Sequence, residues 1–360
     1  MILKVYHTYL GKIFLLTLFK TFLVFMSLAF VLNIFEEVNF FKDYNVSITL
    51  PIFLTLLNIP SVIFDIFPFI FLISAQFTFI KLIEQNELTV FKNFGLTNFK
   101  IIQLFSILSF FLGLFIITIY YNFASNLKYS YLSLKNSYAK DNKYLAVITE
   151  NGIWIKDEIN TQINIINANK IENKNLHQVD ILQFDSNFNL QKNISSAKVL
   201  IENKKWKILN PTVTDNEGKV GYFENISLET NLNYQDINSL YSNLSSLTIF
   251  ELNDLRKKYD TINYSSTEIN SAIQKLLSFP FYLMIMTVLS TTIMMSIKYN
   301  KSKIFHLMFG ILISVVIYYL SFFFEELGKN EQLPVNVSIW IPLLIIFLMS
   351  TISLVRVNER

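Results

Sequence analysis

The chain has 360 residues, of which 52% are hydrophobic and 16% aromatic, while only 16% are charged, against roughly 25% in soluble domains. That is the balance of a membrane protein diluted by a polar portion. A dispersed net charge of +3 leaves no footprint for nucleic acid, and the lack of cysteine excludes disulfides, thiolate metal sites and cysteine nucleophiles.

Crossing a bilayer core takes about 20 apolar residues. Six windows qualify: Ile13 to Phe35, Val62 to Ile83, Ile101 to Phe123, Ile273 to Ile297, Ile304 to Phe324 and Ser338 to Val355. The first is too long, and too acidic at its end, for a cleavable signal. An even number of spans puts both termini on one side. Lys4, Lys12, Lys81, Lys92, Lys100, Lys298, Lys301, Lys303, Arg356 and Arg360 flank the spans on that side. The opposite short loops carry Glu36, Glu37, Asp43, Glu325, Glu326 and Glu331 against Lys42 and Lys329. The positive-inside rule therefore makes the termini and Lys81–Lys100 cytoplasmic.

From about Ala124 to Asn270 the apolar runs shorten and Asn, Ser and Lys accumulate, as expected of a domain on the trans side. "YLAVITENGIWIKDE" sets two β-rich runs around Asn151-Gly152, a hairpin signal. "HQVDILQFD", "SAKVLIENKKWKILN" and "GYFENISLET" continue the alternation, which reads as a sandwich or jelly roll. "SSLTIFELNDLRKKYD" then returns to helical spacing through Leu247, Phe250 and Leu255.

Catalytic patterns are missing from the sequence. The eight glycines form no phosphate loop, no nucleophile elbow occurs, and His7, His177 and His306 have no metal-ligand spacing. No cofactor and no metal are expected. Lys20, inside the first span, either snorkels to the interface or serves function. Asp65, between Pro60 and Pro68, either anchors at the interface or lines a polar cavity. Glu36-Glu37 and Glu325-Glu326 mark span ends and should face water.

Between the second and third spans, "NELTVFKNFG" has its own logic. Asn86 is a good N-cap, Glu87 falls at the positive end of the helix dipole, and Gly95 suits the left-handed stop. The result is a helix of about two turns over 86–95, with Leu88, Phe91 and Phe94 as an apolar face and Thr97 or Asn98 capping the next span. Such a helix either docks on a soluble partner or lies on the headgroups.

Three spans, a β-rich trans domain, three more spans and "NELTVFKNFG" together resemble the lipopolysaccharide export permeases of the LptF/LptG (YjgP/YjgQ) family. "IPSVIFDIFPFIFLISAQF" and "IFEEVNFF" are similar to the LptG side, and "SSLTIFEL", "KLLSFPF" and "LPVNVSIWIP" to the family's later elements. Departures are Ser74-Ala75-Gln76 for a glycine-rich run, Asn93-Phe94 where alanines are common, and Asn33 where a lysine can stand.

The resemblance implies an α-helical polytopic protein of the bacterial inner membrane with six transmembrane helices and an inserted all-β, jellyroll-like periplasmic domain. Its parts would be 1–125, with the coupling helix 86–95, then 126–270 and 271–360. Implied partners are an LptF-like permease subunit in a heterodimer, a cytoplasmic ABC ATPase dimer (LptB-like), a single-span LptC-like subunit, an LptA-like bridge, and lipopolysaccharide. ATPase coupling would fall to Glu87, Leu88, Phe91, Phe94 and Gly95. Near the trans mouth, Lys42, Lys128 and Lys135, with Asp65, are the candidate substrate contacts. Two other readings are a permease for a different lipid or lipoprotein, which usually has four spans, and a polytopic lipid-modifying enzyme, which needs clustered acids, bases or metal ligands.

Overall fold

A computed structural model describes residues 5–42, 44, 46–138, 153–159, 162–172, 174–186, 188–232, 234, 237, 243–261, 265–296 and 303–358. These divide into a helical unit, Met1–Tyr131 with Thr267–Arg360, and a second unit, Leu132–Ser266.

The helical unit contains six helices long and apolar enough to span a membrane. They are α1 (Val5–Phe40), α2 (Thr49–Glu84), a third span over Asn98–Lys135, α6 (Thr267–Met295), α7 (Lys303–Lys329) and α8 (Val335–Asn358). Each contains or closely overlaps one of the windows read from sequence. The third span is compound: α4 (Asn98–Phe115), a π-helical segment Ile116–Tyr121, then the helix Asn122–Asn136. The short helix α3 (Glu87–Asn93) joins α2 to α4.

In lipid, helices gain little from apolarity and associate through close packing and hydrogen bonds. Helix α6 shows both. A Cβ on Gly113 of α4 would stand 2.7 Å from the Cα of Pro280, so glycine is what lets the two backbones approach. Beside it, the hydroxyls of Ser109 and Thr287 share a 2.8 Å hydrogen bond, and Ser290 donates to the Leu72 carbonyl of α2 at 2.7 Å. Toward the N-terminal end of the spans, Phe14 of α1 packs edge-on against Phe71 and Phe105, and Phe105 meets Phe79.

The second unit is a single antiparallel sheet: β1 (Ile153–Ile159), β2 (Gln162–Glu172), β3 (Asn175–Phe184), β4 (Leu190–Leu200), β5 (Lys205–Leu209), β6 (Thr212–Asp215), β7 (Val220–Tyr222) and β8 (Asn225–Glu229). Asn151-Gly152, the expected hairpin turn, lies outside the described residues. Pairs Lys198↔Leu209 and Ser195↔Thr212 hold one common register, so β5 and β6 are two lengths of one strand opposite β4. In the same way β8 and β7 face β5 and β6, through Lys205↔Glu229 and Thr212↔Tyr222.

The β2–β3 and β3–β4 registers and that of β4 with β5 and β6 skip the same row, which runs through Asn169, Gln178, Ala197 and Asn210. Gln178 (φ 51°) and Asn210 (φ 45°) are left-handed there. On β3 and β4 burial changes parity across the row, from Leu176 to Val179 and Ile181 and from Ile194 and Ser196 to Val199. Beside the row, the Ser196 hydroxyl donates to the Leu209 carbonyl at 2.5 Å and accepts from the Lys198 amide at 3.2 Å. The row is a crease, at which strands change panel as they do at a sandwich corner. Buried Asp157 ties the panels at their edges, accepting from the Asn231 amide at 3.0 Å and its Nδ2 at 2.9 Å. The jellyroll-like expectation thus meets a meander: the described ladders follow chain order, and two layers arise by creasing one sheet.

Helix α5 (Ile249–Thr261) follows, opened by a capping box in which Glu251 accepts from the Thr248 amide at 2.8 Å. Its buried face uses Leu252 and Leu255, while Phe250, expected on that face, is 76% exposed.

Candidate functional site

At the junction of α2 and α4, Asn86 occupies the N-cap of α3, but its side chain makes no capping bond; it supplies a left-handed residue (φ 56°) that turns the chain out of α2. At the other end the Gly95 amide reaches the Lys92 carbonyl (2.9 Å) and the Leu96 amide the Phe91 carbonyl (3.0 Å), a Schellman stop with Gly95 at φ +81°. Thr97 then caps α4, accepting from the Lys100 amide. Gly95 and Thr97 act as read, whereas Asn86 starts the helix without the capping bond expected of it.

Its side chains are arranged differently from the expectation. Leu88 and Phe91 are half-buried while Phe94, at the C-cap, is 84% exposed, so the three do not make one face. Glu87 accepts a 2.6 Å hydrogen bond from the hydroxyl of Tyr9, whose ring also lies 6.2 Å from that of Phe91. Its second oxygen is shielded and has no hydrogen-bond partner among the described residues. The carboxylate is thereby held against α1.

Toward the opposite end of the spans, polar groups are buried where the sequence suggested solvent. Glu37 is 1% exposed and accepts from the Tyr131 hydroxyl at 2.7 Å, a correction to its assignment to water; Glu36 is exposed as expected. Asn58 on α2, itself buried, donates to Asn33 of α1 at 2.9 Å and accepts from Lys128 at 2.6 Å. Lys128 also stands 4.8 Å from the ring centre of Tyr131. Of the three lysines read as headgroup contacts, Lys42 is exposed, Lys128 is engaged by Asn58, and Lys135 is buried at 2% exposure. Lys20 is exposed on α1.

Asp65, on α2 like Asn58, is within electrostatic reach of Lys128. It opens into a cavity of about 600 Å³ bounded by α2, α6, α7 and α8. Phe64 stacks on Phe279 at 4.6 Å beside it. Lys275 and Lys329 line the same cavity with Glu325, which they approach at 3.4 and 3.0 Å, a correction to the assignment of Glu325 to water; Lys329 also reaches Glu326 at 2.9 Å. Among the described residues no cluster of three metal-ligating side chains occurs.

The family model described as "Lipopolysaccharide export system permease LptF/LptG" matches residues 8–356. The chain belongs to the LptF/LptG family. No curated protein matches it closely enough to add to this. As an LptF/LptG permease it is a multi-pass inner-membrane component of lipopolysaccharide transport, and the six apolar helices agree with that placement. Sequence reading missed Tyr9, Asn58, Tyr131 and Lys275 of this LptF/LptG chain. Asn58 had a signal, an amide in an apolar stretch; Tyr9, one of 18 tyrosines, had none.

Proposed function

We propose that the chain is the permease subunit, most like LptG, of an ABC-type exporter that extracts lipopolysaccharide from the outer leaflet of the inner membrane. A periplasmic β-jellyroll bridge (LptA-like) receives the lipid through the β units. The working assembly is a heterodimer with an LptF-like subunit and a single-span LptC-like subunit, driven by an LptB-like ATPase dimer. Hydrolysis is the partner's task. Both termini face the cytoplasm, the middle β segment (126–270) faces the periplasm, and the flanking parts 1–125 and 271–360 carry the spans.

One observation carries this reading: α3 is stopped by its own backbone at both ends and pinned to α1 through Tyr9, so a push on α3 is delivered to three spans at once. Leu88, Phe91 and exposed Phe94 offer apolar contact to the ATPase, and Gly95 keeps the stop. Of the lysines, Lys42 is the one presented to a phosphate; Lys128 is engaged by Asn58 and Lys135 is buried.

The test is co-purification of the ATPase and lipid release with Glu87→Lys, beside Lys100→Glu just outside the helix. A hydrogen bond to a charged group contributes about 1.5–3 kcal/mol, and Glu87→Lys both loses the one from Tyr9 and reverses the charge, so it should lose both readouts while Lys100→Glu keeps them. Wild-type behaviour of Glu87→Lys would sink the coupling role. Orientation is tested separately by an impermeant thiol reagent on spheroplasts, which should label Tyr222→Cys and spare Lys92→Cys.

A further inference from the structure

The cavity beside α6 has a chemistry of its own. Four ionisable side chains from three helices face it, Asp65, Lys275, Glu325 and Lys329. An ionisable group inside a span, as Asp65 is, is costly and marks function by default. Lys275, Lys329 and Glu325 are paired among themselves, whereas Asp65 makes neither hydrogen bond nor ion pair among the described residues. An ammonium has three donors, and Lys275 spends one on Glu325.

The cavity is also polarised along its length. The ion-bearing wall lies toward the end of the spans where α6 begins and α7 ends. Tyr282, Met286, Ser314 and Val315 carry the wall onward into the spans. From Lys275 to Met286 a helix advances about 16 Å, the depth of a fatty acyl chain. A volume of about 600 Å³ sits within the range of ligand sites.

We propose that this cavity binds one lipid whose headgroup carries a primary ammonium beside a phosphate, the ammonium on Asp65 and the phosphate toward Lys275, with an acyl chain along α6. A purely anionic lipid would meet Asp65 with repulsion, and a purely cationic one would meet Lys275. The headgroup chemistry occurs on a phosphatidylethanolamine and on a lipopolysaccharide decorated with 2-aminoethyl phosphate. The proposal is read from lipid retention and does not rest on the export reading, so either can fail alone.

The experiment uses full-length protein, extracted with its accompanying subunits, delipidated, and examined by native mass spectrometry with added dioleoyl lipids. Phosphatidylethanolamine should be retained about tenfold more than its N-acetyl derivative, the equivalent of one 1.4 kcal/mol contact. Asp65→Asn should erase that preference, Asp65→Glu should keep it, and Lys275→Gln should weaken phosphatidylethanolamine and phosphatidylglycerol alike. Equal retention of the N-acetylated lipid by wild type, or an undiminished preference in Asp65→Asn, overturns the proposal. If Asp65→Asn fails to fold, the wild-type comparison still decides. Displacement by aminoethyl-phosphate lipopolysaccharide, and not by the undecorated form, assigns the site to the glycolipid; displacement by neither assigns it to the phospholipid.

Discussion

Helices α1 and α2 have nearly the same mean hydropathy, 2.2 and 2.1, yet 11% of the apolar window of α1 is buried in the chain against 61% of that of α2. The contrast widens with α6, the least hydropathic span at 1.7 and the most buried at 78%, and α7, at 2.3 and 17%. Hydropathy measures fitness for hydrocarbon, and neighbouring helices offer nothing more apolar than lipid does. What earns a central position is the ability to come close. Helix α6 buries Ser278, Thr287, Ser290, Thr291 and Thr292, whereas α1 and α7 turn Phe19, Val24, Leu32, Leu312 and Tyr319 outward. Those outward faces are the surfaces left for lipid or for the proposed second subunit.

The comparison breaks most readily at Gly113. Gly113→Val places a branched side chain where even a Cβ is 2.7 Å from Pro280. Overpacking of this kind costs about 1–3 kcal/mol or more, and the variant should show the largest fall in thermal unfolding midpoint in detergent. Tyr131→Phe comes next, because it strips a hydrogen bond from a carboxylate that is 1% exposed; about 1–3 kcal/mol is expected, read in the same melt. Ser290→Ala removes one interhelical bond to Leu72, and such bonds average about 0.6 kcal/mol in membranes, a shift detectable only in replicate melts. Leu312→Ala, on the outward face of α7, should stay within about 0.5 kcal/mol. A loss at Leu312 equal to that at Gly113 would show that the exposed spans are held as tightly as the buried ones, and the distinction would fall.

The same physics decides what the sequence could tell. All six spans were legible, because length and apolarity are local properties. So were the caps at Gly95 and Thr97, which depend on backbone geometry that one residue type favours. β3, β4 and β5 were visible as alternation, and Glu251 in its capping box was implicit in "TIFE". Burial of Glu37 was not legible, since it depends on Tyr131, 94 positions away. Nor was the hold of Tyr9 on Glu87, at a separation of 78. Asp65 was left open between interface and cavity, and the arrangement of α6 and α7 around it resolves that choice in favour of the cavity. The π-helical segment at Ile116–Tyr121 leaves no mark in composition.

The crease in the β unit bears on motion. Asn169, Gln178 and Ala197 have no paired residue in the register, and hydrogen exchange should trace a faster line along them across an otherwise slow sheet. Such a line would let the panels on either side keep their ladders while the angle between them changes at Gln178. The edge tie from Asp157 to Asn231 limits how far that angle opens. Asp157→Ala should therefore speed exchange at the panel edges and leave the ladders in place, making the β unit a wider vessel without unfolding it.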